Sequence, residues 1–372
     1  MIVVNHFIKT KSLHSDGRVI KWLNSLSDIG IASYVFSIED KPSNFTHPQV
    51  VNVPIRIFFR RLFPIGRGRL FKIIETFIKG FYIICITKNK NWLFHDNQFY
   101  HLILASILLK KVGIKKISLI WDLHELPHEY LLSSSIGRLI LKWMFKNCDL
   151  ILVTNQDRMK YIEQRLEFSL GAEVLRNYPM KKDILFPKFS SDGVSKTKTW
   201  IEQGDFALWL GSASLERGFD IFYNWVCDNK LNLVILGDVS SKFEHIKAKE
   251  NVFVDFVKQS DLSVYIYKAK VSAVFYMPSS PNNWLCEPNR LYQLMAAGVF
   301  VIVGDNPPIL KETEKYPNKL LINYKDFDLP AFTEIEKHKQ ISGEAAQNFM
   351  VEKGKYWEAD FKNLTKSLHI LN

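Results

Sequence analysis

The sequence predicts an α/β protein of two Rossmann-like domains facing a cleft, and three observations carry that expectation. The chain has 372 residues, about twice an ordinary domain. Short apolar runs alternate with amphipathic stretches, the pattern of parallel strands covered by crossover helices. The pattern also pauses and restarts, around the Ser/Lys/Thr-rich run SSDGVSKTKT. The expected division is a first domain over 1–178, a linker over 179–204 and a second domain over 205–350. A C-terminal helix over 351–372 is expected to pack back toward the first domain.

In the first half, strands are expected near 1–6, 33–37, 91–94, 116–121, 149–153 and 173–176. Helical patterns lie between them, as in FYHLILASILLKK (99–111) and NQDRMKYIEQRLE (155–167). The second half restarts with strands near 206–210, 231–236, 252–256, 271–277 and 299–303. The opening run MIVVNHFIKTK loses its apolar character at Asn5 and His6, so it reads as a first strand and not as a signal peptide. No stretch reaches the ~18–20 apolar residues of a membrane span. Cys85, Cys148, Cys227 and Cys286 lie far apart without a C-x-x-C pair, and read as reduced, mostly buried thiols of a cytoplasmic protein.

Parallel sheets bind ligands beyond the carboxyl ends of their strands. Polar and flexible residues collect there: Gly211-Ser212, Gly237-Asp238, Ser279-Ser280 and Gly304-Asp305 in the second half, His95-Asp96 and Asp122 to Glu125 in the first. Asp96 is read either as orienting an acceptor hydroxyl or as capping helix 99–111.

The charge is divided. Residues 1–179 hold 25 Lys/Arg against 14 Asp/Glu, whereas 180–372 hold 24 of each. The first half is therefore expected to meet something anionic. Residues 55–80 carry seven basic residues and one acidic one. Arg56, Arg60, Arg61, Arg67 and Arg69 interleave there with Phe58, Phe59, Leu62, Phe63, Leu70 and Phe71. Cations beside bulky apolar groups suit the headgroup boundary of an anionic membrane. The plainer alternative is a solvated surface over core-facing aromatics. No RNA-binding signature accompanies the charge, so nucleic acid is not an expected partner.

The most specific segment is EPNRLYQLMAAGVFVIV, 287–303. Pro288 suits a first helical turn and Gly298 a left-handed helix end. Free N–H groups at that helix start favour a phosphate, and Arg290 adds a charge in the first turn. PNRLYQLMAAGVFVI resembles the PNK-x-x-E-Y-M-A-A-G segment of family 4-like GT-B glycosyltransferases. LWLGSASLERGFD, LNLVILGD, FHDNQFY with ISLIWDLHELPHEY, and CDLILVTNQDRMKYI resemble further segments of that family, in the right order.

The resemblance implies a metal-independent hexosyltransferase, one that moves a sugar from a nucleotide-sugar donor with retention, with no cofactor. It implies that Arg217 and Arg290 meet the donor diphosphate and that Gly17, Gly211, Ser212, Gly237 and Asp238 form the surrounding turns. Val257 stands in the base-contacting turn, and Asn289 and Gln293 on the donor-binding helix. Gln293 replaces a common Glu, and Ser212 a common basic residue. His124 would lie against the donor sugar with Glu125 beside it. A glycan or lipid-linked glycan acceptor would occupy the basic half, as in bacterial surface polysaccharide synthesis on the inner membrane face. A nucleotide-sugar 2-epimerase of the same fold and a non-enzymatic membrane- or nucleic-acid-binding scaffold remain as alternatives. His124-Glu125-Leu126-Pro127-His128 also spells H-E-x-x-H, a zinc-protease signature. Its chemistry needs a helix, which Pro127 opposes directly after a strand.

Overall fold

The first strand, β1 (Val3–Thr10), is buried from Val4 to Ile8 and lies mid-sheet. The computed structural model describes residues 2–40, 45–63, 67–187, 198–257, 261–325, 327, 329–338 and 341–368. They form two units, Met1–Arg176 with Asp360–Asn372, and Asn177–Ala359.

The first unit contains β1, β2 (Ala32–Glu39), β3 (Val50–Pro54), β4 (Asn91–His95), β5 (Ser118–Leu123), β6 (Leu150–Val153) and β7 (Glu173–Val174). They make a parallel sheet in the order β3-β2-β1-β4-β5-β6-β7. The second contains β8 (Ala207–Leu210), β9 (Leu233–Leu236), β10 (Val252–Asp255), β11 (Val271–Val274), β12 (Phe300–Gly304) and β13 (Lys319–Ile322), in the parallel order β10-β9-β8-β11-β12-β13. Each order reverses once, at β1/β4 and at β8/β11, and such switch points are where doubly wound sheets open a crevice for ligand. Trp92, Trp121 and Trp209 are fully buried in these strands, as expected of sheets covered on both faces.

Two strands escape the sequence pattern. β3 and β13 are edge strands and only partly buried, so neither shows the continuous apolar run of the inner strands. The expected linker is only partly described. Its residues 179–187 and 198–204 belong to the second unit, where Ile184 and Ile201 are core residues, while 188–197 lie outside the described residues. Near the end of the chain, Phe361 meets Trp22 edge-on, with ring centroids 5.5 Å apart, and the Arg176 N–H donates to Asp360 at 3.0 Å, within the first unit. All four cysteines are free, but they are not mostly buried as expected: Cys85 lies on a helix face directed at solvent and is exposed, and Cys148, Cys227 and Cys286 are half-buried. No helix among the described residues is long and apolar enough to cross a membrane.

Candidate active site

In the second unit the ends of β8 and β9 interlock. The Gly211 N–H donates to Leu236 O at 2.8 Å and the Gly237 N–H to Asp255 O at 2.9 Å. Gly237 has φ +152°, and a Cβ there would collide with the Gly211 carbonyl. Gly211 has φ +91°, and a Cβ there would stand 2.7 Å from an Arg217 guanidinium nitrogen. The missing side chain leaves room for that cation. Arg217 ends a single turn, Leu215–Arg217, closed by Gly218 at φ +62°.

Arg290 stands in the first turn of the helix Asn289–Ala296 and is buried. Its guanidinium donates to Leu210 O and, at 3.2 Å, to Phe275 O, while its Nε has no partner. Arg217 lies 5.4 Å and Arg290 5.1 Å from the centre of the same Tyr276 ring. Neither pairs with a carboxylate among the described residues; in particular, Arg217 does not take Asp220, the surface partner its helical spacing offers. Burial, opposed by Tyr276 and reinforced by Arg217, pulls the Arg290 pKa below its ordinary value. Two cations converging with no counter-ion among the described residues are suited to an anion with several oxygens, which a guanidinium binds through paired donors.

The other expected donor residues named on the second half lie in the same unit. Pro288 caps the helix one position before the turn it was expected to enter, and Gly298 ends the element at φ +71°. Asn289 Oδ1 is buried without a partner. Gln293 is half-buried one turn further on. The Ser212 carbonyl accepts from Trp209 Nε1 at 3.2 Å. Gly237 and Asp238 also line a cavity of about 660 Å³ that reaches Val252, Phe256 and Lys247 but not the arginines. Val257 follows β10 beside Phe256; the next three residues of that turn lie outside the described set.

In the first unit, Asp122 on β5 is wholly buried and organises its neighbours. Arg18 clasps it in two bonds of 3.0 and 2.6 Å, and Trp22 Nε1 donates to it at 2.8 Å. His124 Nε2 lies 2.9 Å from the same Oδ2. An ionised carboxylate only accepts, so His124 Nε2 is the donor in this pair and Nδ1 is the nitrogen that Asp122 does not engage. His95 Nδ1 stands 3.6 Å away, and His95 Nε2 meets His6 Nδ1 at 3.1 Å in a stacked pair. Burial would raise the Asp122 pKa, but Arg18 and His124 outweigh it and hold the carboxyl well below its ordinary range. Sequence reading placed His124 here and set Asp122 and His95 at strand ends without a role, and it missed His6 and Arg18 as their partners. A visible signal was the alternation in IWDLH, which sets Asp122 and His124 on one side of the strand, with an acid inside an apolar run.

Asp96 does not cap helix 99–111, so that alternative is withdrawn. Its side chain bonds no helical N–H, its Oδ1 is buried without a partner, and its backbone is held at φ 66°, ψ −177°. The Asp96 N–H is tied to Asp122 O at 2.7 Å, which keeps this rare conformation in place. Gly17 begins the helix Gly17–Asp28, where Asp16 accepts the Val19 N–H and Arg18 turns inward to Asp122. Glu125 is exposed.

The zinc reading of H-E-x-x-H fails on geometry. The following helix starts only at Glu129, and His128 packs against Tyr100 and Tyr130. His95, Asp122 and His124 do bring ligand atoms within 4.8 Å of one another. Yet Asp122 Oδ2 already accepts three bonds, and the Arg18 guanidinium opposes a second cation at the same carboxylate. The chain has one Asp-x-Asp triplet, Asp326 to Asp328, and both its acids lie outside the described residues.

Of the five arginines expected at a membrane surface, Arg56, Arg61, Arg67 and Arg69 are exposed. Arg60 is instead half-buried and paired with Asp40 at 2.7 Å. Phe58, Leu62, Leu70 and Phe71 are exposed rather than core-facing.

No protein-family model matches the chain, and no curated protein does. Solved structures do. A sucrose-phosphate synthase from Thermosynechococcus elongatus superposes over 100% of both chains, with TM-score 0.73 and 13% identity. Anabaena HepE in complex with UDP and glucose matches over 99% of this chain and all of its own, with TM-score 0.66 and 11% identity. The structure "Trehalose-6-phosphate from E. coli bound with UDP-2-fluoro glucose" matches over 98% of each chain, with TM-score 0.66 and 10% identity. These likenesses establish the fold, two parallel-sheet α/β domains of the GT-B class.

Proposed function

We propose that this protein is a glycosyltransferase that moves a sugar from a nucleoside-diphosphate donor to a hydroxyl of a glycan or lipid-linked glycan. The reading rests on one observation: Arg217 and Arg290 converge on Tyr276, beside a glycine turn that leaves room for them, and neither is paired with a carboxylate among the described residues. A departing diphosphate supplies that missing charge. Each charge-assisted hydrogen bond to it contributes about 1.5–3 kcal/mol, and only as negative charge develops on the leaving oxygen does it lower the barrier. Gln293 is assigned to the donor ribose.

In the proposed retaining reaction the acceptor oxygen attacks the anomeric carbon on the face the diphosphate leaves. A carbon–oxygen bond to the acceptor forms as the one to phosphate breaks, and the acceptor proton passes to the departing oxygen. No metal takes part. The first unit supplies His124, held by Asp122 through Nε2, and Asp96, whose Oδ1 has no partner. The excess basic charge of that unit supports an anionic, lipid-linked acceptor and work at the cytoplasmic membrane face, in bacterial surface polysaccharide synthesis.

A panel of nucleotide sugars tests the reading by thermal stabilisation and turnover. One donor should raise the melting temperature by mass action. Arg217→Ala should keep the fold and cut turnover about 10²–10³-fold, while a chelator changes nothing. Full turnover by Arg217→Ala at saturating donor would remove the arginine pair from the reaction. Interconversion of a nucleotide sugar without acceptor would point to a 2-epimerase instead.

A further inference from the structure

The helix Arg69–Ile86 has its polarity inverted. Only Glu75, Gly80 and Ile84 are buried, whereas Phe71, Ile74, Ile78 and Tyr82 are exposed. Glu75, its single acid, is consumed inside: it accepts the N–H groups of Phe58 and Phe59 and pairs with Lys79 at 2.5 Å. The inverted face is thus apolar with cations at its margins.

A second helix of the same unit repeats this arrangement. In Ser135–Asn147, Ile136 is 74% exposed and Leu139 68%, with Ile140 beside them at the i, i+3, i+4 spacing of one helix face. Arg138, Lys142 and Lys146 flank that face, and the helix contains no acidic residue. The two helices lie on the same side of the sheet. The connections β3 to β4, β4 to β5 and β5 to β6 all advance in one direction, and right-handed crossovers then place their helices on one face. Tyr100–Lys111 packs between them, meeting the first where Gly80 admits Leu102 and touching the second. Its own outward residue, Leu108, is exposed as well. All three helices run parallel, so Phe71 and Ile74 on one and Ile136 and Leu139 on the other lie toward the same end. That end carries His95, Asp96 and His124.

We propose that Ser135–Asn147 is a second bilayer-contacting element, working beside Arg69–Ile86 on an anionic phospholipid membrane. The inference rests on the membrane-facing reading above and extends it to a helix that the basic segment 55–80 does not include. Ile136, Leu139 and Ile140 enter the headgroup boundary, and Arg138 and Lys142 meet lipid phosphates. A bilayer fits better than a folded partner because the apolar residues stand out from a broad face with cations at its margins, where the exposed Glu129 and Asp149 are already paired with Arg165 and Lys110. Two contacts on one face would hold the strand ends of this unit at a fixed height above the membrane, where a lipid-linked hydroxyl is presented.

Flotation with phosphatidylcholine vesicles, with and without phosphatidylglycerol, tests it on the full chain. The wild type should bind the anionic vesicles, and Ile136→Glu/Leu139→Glu should bind them about tenfold more weakly or worse. Ile136→Gln/Leu139→Gln should also weaken binding, which separates lost insertion from new repulsion and serves if the acidic variant fails to fold. Leu321→Glu, an exposed apolar position in the second unit, should bind as the wild type does. Nucleotide-sugar stabilisation should survive in all three. Wild-type binding that the Gln variant leaves unchanged would overturn the second contact and spare the first. No wild-type binding to anionic vesicles would overturn both, while leaving donor binding to be judged separately. Self-association without lipid, abolished by the same substitutions, would make this face an interface between copies and refute the proposal.

Discussion

Asp122 shows how a buried charge is made tolerable and then used. An isolated carboxylate at its depth costs several kcal/mol, so it persists only with its lone pairs occupied. Arg18, Trp22 and His124 occupy them, and the bond to His124 fixes the orientation of its ring. The histidines behind it have the opposite character. Burial, reinforced by the neighbouring His95 and opposed by Asp122, holds the His6 pKa well below 6.5. Burial also lowers His95, against the pull of Asp122. Both rings are therefore neutral when folded and take up protons on unfolding. Their stabilisation is complete above about pH 6.5 and is lost as pH falls below it, by up to about 1.4 kcal/mol per pH unit for each ring. His101, pushed down to about 4 by burial, adds the same sign. Melting curves between about pH 7.5 and 5.5 should thus fall less steeply for His6→Gln than for the wild type. Parallel slopes would show that His6 does not titrate as its surroundings require.

At the scale of single elements, the turns after β8 and β9 decide whether the arginine pair has a site. Gly237 occupies a φ that L side chains rarely adopt, and its missing Cβ faces backbone that cannot move aside. Gly237→Ala should lower stability by about 2 kcal/mol or more, read as a drop in the denaturation midpoint. Gly211 differs, because its absent Cβ would meet the mobile end of Arg217 rather than backbone. Replacement there acts on the site as well as on the fold. An unchanged midpoint in Gly237→Ala would mean that the two strand ends are not locked together as their hydrogen bonds indicate.

For the molecule as a whole, charge follows the units rather than the midpoint of the sequence. The first unit carries 27 Lys/Arg and 15 Asp/Glu, the second 22 and 23. Arg60 is spent on Asp40, so Arg61 and Arg67 are the better probes of long-range attraction. Each cation near an anionic bilayer contributes about 1 kcal/mol, and salt screens it. Arg61→Glu/Arg67→Glu should weaken binding to phosphatidylglycerol vesicles at low salt. The difference from wild type should shrink at roughly 1 M salt, where the Debye length is about 3 Å. A difference that does not depend on salt would assign the effect to packing rather than charge.

The sequence by itself determined the two α/β domains, the inner strands and the helix after Pro288. These depend on local period, on glycine and proline chemistry, and on charge counted along the chain, all of which survive without coordinates. It also marked His124, Arg217 and Arg290, because residues at strand ends and first helical turns have a defined place before tertiary packing is known. Tertiary structure alone decided the rest. Asp122 with Arg18, and His6 with His95, are joined across 104 and 89 residues of sequence, and no local pattern records such pairings. The edge strands β3 and β13 are recognised by their neighbours rather than by their own half-exposed residues. The apolar outer face of Arg69–Ile86 reads, in sequence, like any helix with a hydrophobic side. A period of 3.6 shows that one side is apolar, but only the position of the sheet shows whether that side points in or out.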